Sequence, residues 1–349
     1  MKLRLFILLL MGFHLQLMAQ DNPDTKPSGK IVGEVFGDFY YKVAGDTGTT
    51  LTGPGEYQTT EKNANAFAIR RFNLGYDYTY NEKFSARILV EGNDGTLLPN
   101  ANRSVYIKIA QVSWNNIFPG SNLIIGSQST LTWPRFSERV WAYRKVEKTI
   151  MDFRKLGSSF DFGVSLEGSF NKSETLGYSV MIGNGTAQRP ETDKHKKYYA
   201  SIHGKFLDKK LWTEIYFDHE PFGSDGNTTT LKGFIGWQES KLSLGLEPFR
   251  QVRHEEGIPN VVRTGIALFG HTALSENVVL ILRTDYYISD SRNTGYKEMF
   301  FLAGTDFKVS PNISLIPNIW INTYSAETSE VEDRKSDVVG RITFAFKMQ

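Results

Sequence analysis

Residues 159–170, SFDFGVSLEGSF, alternate without a fault. Phe160, Phe162, Val164, Leu166, Gly168 and Phe170 take one face, and Ser159, Asp161, Gly163, Ser165, Glu167 and Ser169 take the other. A side-chain period of two, apolar on one face and polar on the other, belongs to a strand that separates two unlike environments. The pattern recurs from residue 30 onward. Ile31, Val35, Phe39 and Tyr41 oppose Glu34, Asp38 and Lys42, while Phe72, Leu74, Tyr76, Tyr78 and Tyr80 oppose Arg71, Asn73 and Asp77. Phe84, Ala86, Ile88 and Val90 oppose Ser85, Arg87 and Glu91; residues 105–114 read as a strand whose facing is ambiguous. Continued to Phe346, the alternation predicts about 16 strands, an even number within the range of outer-membrane barrels.

The connections alternate as well. Short ones are expected at 81–83, 171–175, 207–210, 239–241, 274–277 and 310–312. Longer ones are expected at 43–65, 92–103, 127–158, 183–196, 219–229, 250–260, 289–297 and 325–335. Short periplasmic turns and long outer loops are how such barrels are built, and an even strand count leaves both termini on the periplasmic side. Tyr78, Tyr80, Phe84, Phe170, Phe206, Trp237, Phe307 and Phe346 gather at the short-turn ends, where an interfacial girdle lies. A soluble sandwich also alternates, but its apolar face is a core and needs no girdle. The fold expected is therefore all-β, a transmembrane antiparallel β-barrel. Joining the second and third strands through 81–83 pairs Tyr80 with Phe84 and sets Asp77 opposite Arg87.

Lys2 and Arg4 precede an apolar run at 5–13, and Leu17-Met18-Ala19 offers a cleavage site. This reads as a signal peptide at 1–19, a polar periplasmic leader at 20–29 and a barrel over 30–349. No later run approaches the roughly 20 apolar residues of a membrane helix. The absence of cysteine excludes disulfides and thiolate metal sites. The six histidines show no HExxH spacing, no GxSxG elbow is present, and Gly183-Asn184-Gly185 lacks the rest of a dinucleotide fingerprint. No enzyme, metal or cofactor is expected. With 40 basic against 38 acidic residues, nothing in the whole-chain charge argues for nucleic acid. The partners expected are outer-membrane lipid and small anionic or polar solutes, and the location the cell outer membrane.

The longest connection, 127–158, carries Arg135, Arg139, Arg144, Lys145, Lys148, Arg154 and Lys155 against Glu138, Glu147 and Asp152, a net +4 over 135–155. A loop this long is uncommon and usually functional. It reads as a third loop folded inward to narrow the pore, with Arg135, Arg139, Arg144, Lys145 and Lys148 at the constriction. Arg71, Arg87, Arg263, Arg283 and Arg341 have lumen parity and are expected on the wall, among a larger number of wall carboxylates. Charged rings set ion selectivity in pores, and low-dielectric walls focus the field of a charge placed where the pore is narrow. The expected function is passive diffusion of small hydrophilic solutes, anions preferred. The alternative is a non-conducting barrel, plugged by the same loop, that serves as receptor, adhesin or anchor. A loop this polar is expected to add little to stability.

Two stretches carry a family resemblance. Residues 67–88, with the double arginine Arg70-Arg71 followed by an alternating strand and hairpin, are similar to the phosphate-selective porin O/P-like proteins. Residues 104–168 resemble the strand, constriction loop and strand of that family. Together with the leader and the tyrosine-rich strands they look like a Bacteroidetes-type outer-membrane porin. The resemblance implies a 16-stranded barrel, a homotrimer, and diffusion of anions that include phosphate-like ones.

Overall fold

The computed structural model describes residues 26–46, 60–93, 95–100, 102–290, 296–326 and 334–348. The signal peptide expected at 1–19 and residues 20–25 of the expected leader lie outside them. Sixteen strands form the chain: β1 (Ser28–Ala44), β2 (Asn65–Thr79), β3 (Phe84–Gly92), β4 (Tyr106–Phe118), β5 (Ser121–Ser129), β6 (Phe160–Ser169), β7 (Leu176–Gly183) and β8 (Lys197–Phe206). They continue as β9 (Leu211–Phe222), β10 (Gly226–Gln238), β11 (Leu242–Glu255), β12 (Ile258–Ala273), β13 (Val278–Ile288), β14 (Tyr296–Ser310), β15 (Ile313–Ala326) and β16 (Asp337–Met348). Each pairs antiparallel with its sequence neighbours, and β1 pairs with β16, so the sheet closes with no free edge. Closure is what the bilayer demands, because an unpaired backbone group in lipid costs several kcal/mol.

The alternation reads directly onto the wall. Ile31, Ile88, Phe162, Ile215, Leu282 and Ile342 are exposed on the outside, while Asp38, Lys42, Glu214, Asp285 and Asn322 are buried within. Tyr80, Phe170, Phe206, Phe307 and Phe346 stand exposed beside the short turns, as a girdle requires. The barrel is an outer-membrane barrel in both architecture and surface. Asp77 and Arg87 are direct partners, with Arg87 Nε 3.0 Å from Asp77 Oδ1.

Two expectations are corrected, and a third feature was not foreseen. The connections expected at 219–229 and 250–260 are mostly strand: β9 and β10 are joined by 223–225, and β11 and β12 by 256–257. There the ladder runs on, with Thr228 opposite Arg253 and Glu220, but both faces are polar, so the hydropathy alternation vanishes while the pairing does not. Phe160 does not face lipid but is buried with Leu89 and Ile109, the Lys108 ammonium lying 4.5 Å from its ring centroid. The third departure is a pair of bulges. Phe36 pairs with Arg71 and Gly37 with Ile69, leaving Arg70 as an extra residue; Leu89 pairs with Ile109 and Val90 with Ile107, leaving Lys108 extra. An inserted residue lets two successive side chains point the same way. So Arg70 joins Arg71 inside, Lys108 joins Ile109, and the ambiguous facing of 105–114 has its cause.

Candidate functional site

The connection between β5 and β6 folds into the barrel. It carries two short helical turns, α1 (Ser137–Trp141) and α2 (Ile150–Phe153). Its apolar side is larger than its charges suggest. Trp133, Val140, Trp141, Val146, Ile150, Met151 and Phe153 are almost fully buried and form one core with Phe234, Phe249, Phe269, Phe300, Leu302, Ile316 and Trp320 of β10–β16. Trp141 meets Phe269 edge-on at 5.4 Å between ring centroids, and Phe153 meets Phe300 at 5.0 Å. Each large side chain so buried stabilises by about 1.5–3 kcal/mol. The expectation that this loop adds little to stability is overturned: it is a packed half-plug seated on one side of the lumen.

The arginines expected on the wall divide into two groups. Arg283 and Arg341 do not line water; they hold the loop. Arg283 donates from Nη1 to the Lys148 carbonyl while its Nε binds Asp285 at 2.8 Å. Arg341 donates from Nη2 to the Val146 carbonyl at 3.0 Å and from Nη1 to Glu147 at 3.2 Å. Arg70 completes the clamp from the opposite side. Its Nη1 reaches the carbonyls of Lys145 (3.1 Å) and Val146 (2.7 Å), and its Nη2 reaches Glu147 at 3.3 Å. Carbonyls that no helix or sheet satisfies must find donors when buried, and the forked guanidinium supplies two from one side chain. Arg263 bonds Gln251 at 3.3 Å, Arg71 binds Glu91 at 3.0 Å, and Arg87 stays with Asp77.

The loop charges divide similarly. Arg135 is ion-paired to Glu167. Arg144 is gripped between Glu138 (2.5 Å) and Asp152. Lys145 binds Asp306 at 2.9 Å and Ser314 at 3.0 Å on the wall. Arg154 is buried against Glu298 and Asn322. Burial would raise the Asp152 carboxyl, but the Arg144 and Lys148 charges outweigh it and hold the group below the usual carboxylate range. Arg139 differs: exposed on α1, it makes no side-chain hydrogen bond or ion pair among the described residues.

Water-accessible space remains on the side the loop does not fill. Toward the long-loop end a chamber of about 600 Å³ is lined by Arg71, Glu91, Lys108, Arg144, Lys148 and Asp152. Toward the short-turn end a second, of about 460 Å³, is lined by Arg87, Arg135, Arg139, Glu167, His203 and Lys205. Leu89, Ile109 and Phe160 form a buried apolar cluster on this wall, and Ile109 also lines the second chamber. Of the ten cations predicted to act in the pore, Arg71, Arg87, Arg135, Arg139, Arg144 and Lys148 come together on these chambers, and Lys145, Arg263, Arg283 and Arg341 do not. Lys108 and Lys205 were not predicted. The first is hidden by its bulge, and the second sits at a strand end that reads as ordinary solvation. Among the described residues no group of acidic, histidine and cysteine side chains could hold a metal ion.

No protein-family model and no curated protein matches the chain. Among solved structures it is similar to the anion-selective porin from Comamonas acidovorans (TM-score 0.67, 11% identity, 93% of this chain and 100% of that one). It is equally similar to the outer membrane channel DcaP of Acinetobacter baumannii (TM-score 0.67, 11% identity, 92% and 97%). OmpT, an outer-membrane protein of Vibrio cholerae, superposes with a TM-score of 0.63 at 11% identity over 93% and 98%. At such identities the likeness is one of fold: this chain has the fold of outer-membrane porins.

Proposed function

We propose that this protein is an outer-membrane diffusion channel for small hydrophilic solutes and that it prefers anions. One observation carries the reading. The lumen on the β2–β8 side holds two chambers, one toward each end, and cations outnumber carboxylates on both. Position decides which charges count. At ~0.15 M salt the Debye length is about 8 Å, so a charge beside the path acts on a passing ion while one behind the loop is hidden. Arg71, Lys108, Arg144 and Lys148 would draw an anion in, and Arg87, Arg135 and Arg139 would pass it on. Similarity to a porin described as anion-selective supports the same sign. Phosphate-like anions and a homotrimer follow from the family resemblance and belong to this proposal, not to the geometry.

Single-channel recording in a planar bilayer tests the reading. The expected result is discrete conductance with an anion-directed reversal potential in a salt gradient. Arg139→Glu, which breaks no bond within the protein, is expected to move that potential toward cations, most at low salt. A well-folded barrel without conductance would favour the second reading, a plugged receptor or anchor. The apolar seat of the loop on β10–β16 is the observation that keeps that reading in view.

A further inference from the structure

Arg250 falls in a stretch whose sequence reads as a connection, yet the ladder holds it within β11, with Leu231 of β10 on one side and Thr264 of β12 on the other. Gln251, the next residue, points inward and donates to the Leu156 carbonyl of the loop. Arg250 therefore points out of the barrel, with the parity of Leu246 and Pro248. It is exposed and makes no side-chain hydrogen bond, ion pair or ring contact among the described residues. Leu231 beside it is exposed on the same outer face, as is Phe217, the partner of Leu231 on β9. One step further from the short turns that face becomes polar, with His219 hydrogen-bonded to Thr229 at 2.9 Å. Arg250 thus stands where the apolar band gives way to the headgroup level. A guanidinium does not lose its charge, and an arginine at the edge of a bilayer reaches for the interface and for anionic groups there.

Beside Arg250, on the side toward the short turns, the outer wall is hollowed. A space of about 400 Å³ is lined by Ile202, Ile215, Gly233, Ile235, Leu246 and Pro248. Ile202, Ile215 and Ile235 are exposed on the lipid side. Two residues make the hollow. Gly233 brings no side chain, and Pro248 brings a compact ring and no amide hydrogen. The β10–β11 ladder accordingly runs to Lys232–Phe249 and resumes at Ile235–Leu246. A Cβ at position 233 would meet only Pro248, at 3.5 Å, an ordinary contact, so packing does not demand glycine there. The hollow lies two residues along β11 from the one unpaired cation of this face, near enough for a single lipid to touch both.

We infer that the outer face of β8–β11 is a binding site for a membrane lipid with an anionic phosphate headgroup. The phosphate sits on Arg250, whose forked guanidinium matches two phosphate oxygens, and one acyl chain lies in the hollow over Gly233. The inference needs the barrel in a bilayer and does not depend on an open pore.

Native mass spectrometry of the full-length barrel, folded in detergent, tests it by titration with two lipids. Phosphatidylglycerol and phosphatidylcholine with identical acyl chains are the probes, so that headgroup charge changes while the apolar part does not. Phosphatidylglycerol is expected to bind about fivefold more tightly, a difference of about 1 kcal/mol. Arg250→Gln is expected to bring phosphatidylglycerol down to the level of phosphatidylcholine and to leave the latter unchanged. Gly233→Leu, which fills the hollow, is expected to weaken both lipids and keep the preference between them. Heat-modifiable gel migration reports that each variant is folded. Equal binding of the two lipids by the wild type, a preference that survives Arg250→Gln, or a Gly233→Leu barrel that binds both like the wild type would each overturn the site. Self-association of the barrel that Arg250→Gln abolishes, with no lipid retained, would overturn it too and give this face to a second copy of the chain. A lipid-binding barrel that does not conduct would sink the channel reading and leave the lipid site standing.

Discussion

Arg70 shows how much one inserted residue can decide. In an unbroken strand it would share the lipid-facing parity of Leu74 and Tyr76; the bulge turns it inward, where its side chain is 4% exposed and spans Asp38, Glu147 and two loop carbonyls. Removing one partner of a buried ionic cluster typically costs about 3–5 kcal/mol, because the remaining charge is left without compensation. Glu147 keeps Arg341, so Arg70→Ala is expected toward the lower end of that range, read as a lowered unfolding midpoint of the heat-modifiable band. Its conductance is expected to become noisier as the loop tip loosens. Arg70→Lys should not restore quiet behaviour, since an ammonium cannot fork between two carbonyls as a guanidinium does. A quiet, fully stable Arg70→Ala channel would show that the clamp from β1 and β2 is dispensable.

At the scale of the element, the inward loop is both a packed plug and a carrier of charge, and the two roles constrain which variants can be read. Replacing Arg144 by Glu would set a third carboxylate beside Glu138 and Asp152, so its effect on selectivity would be mixed with loss of the loop's seating. Arg139 alone changes the path's charge cleanly. The same cluster predicts a pH dependence. The Asp152 carboxyl is held below its ordinary value by Arg144 and Lys148 despite burial. A depressed pKa contributes stability that is present above the unfolded value near ~3.9 and lost as pH falls through the folded one. Current noise is therefore expected to stay flat from about pH 6 down through the ordinary carboxylate range and to rise only below it. Noise that rises already near pH 5–6 would assign the loosening to another group.

The strands were legible because lipid on one side and water on the other force a period of two, as at residues 159–170. Where that contrast ends, above the apolar belt at Thr228–Thr230, the ladder continues unseen. The bulges at Arg70 and Lys108 are illegible for a different reason: one extra residue leaves composition unchanged and alters only parity. The loop was read by its charges, yet Trp133, Phe136, Val140, Trp141, Val146, Ile150 and Phe153 stood in the same stretch. Their number was the available signal that it packs rather than hangs free.

For the whole molecule, orientation is the first thing to check. A tag at Gly226, beside the 223–225 turn, is expected to be labelled on intact cells, and one at Lys209, in a short turn, is not. Gly48 and Ser329, equally suited by sequence, lie outside the described residues. Labelling at Lys209 would invert the barrel. The seam between β1 and β16 has a consequence of another kind. It joins Gly33 to Met348, nearly the two ends of the chain, and the loop's apolar seat is built from β10–β16, long after the loop itself. Contacts so distant in sequence form late, because chain entropy must be lost before they repay it. Until the last strand arrives, the first has an unpaired edge that lipid cannot tolerate. The half-plug, by contrast, already has most of its seat, since only Val339 of β16 joins that core. Closing the wall therefore waits on the last dozen C-terminal residues, and with them comes the hold of Arg341 on the tip of an already seated loop.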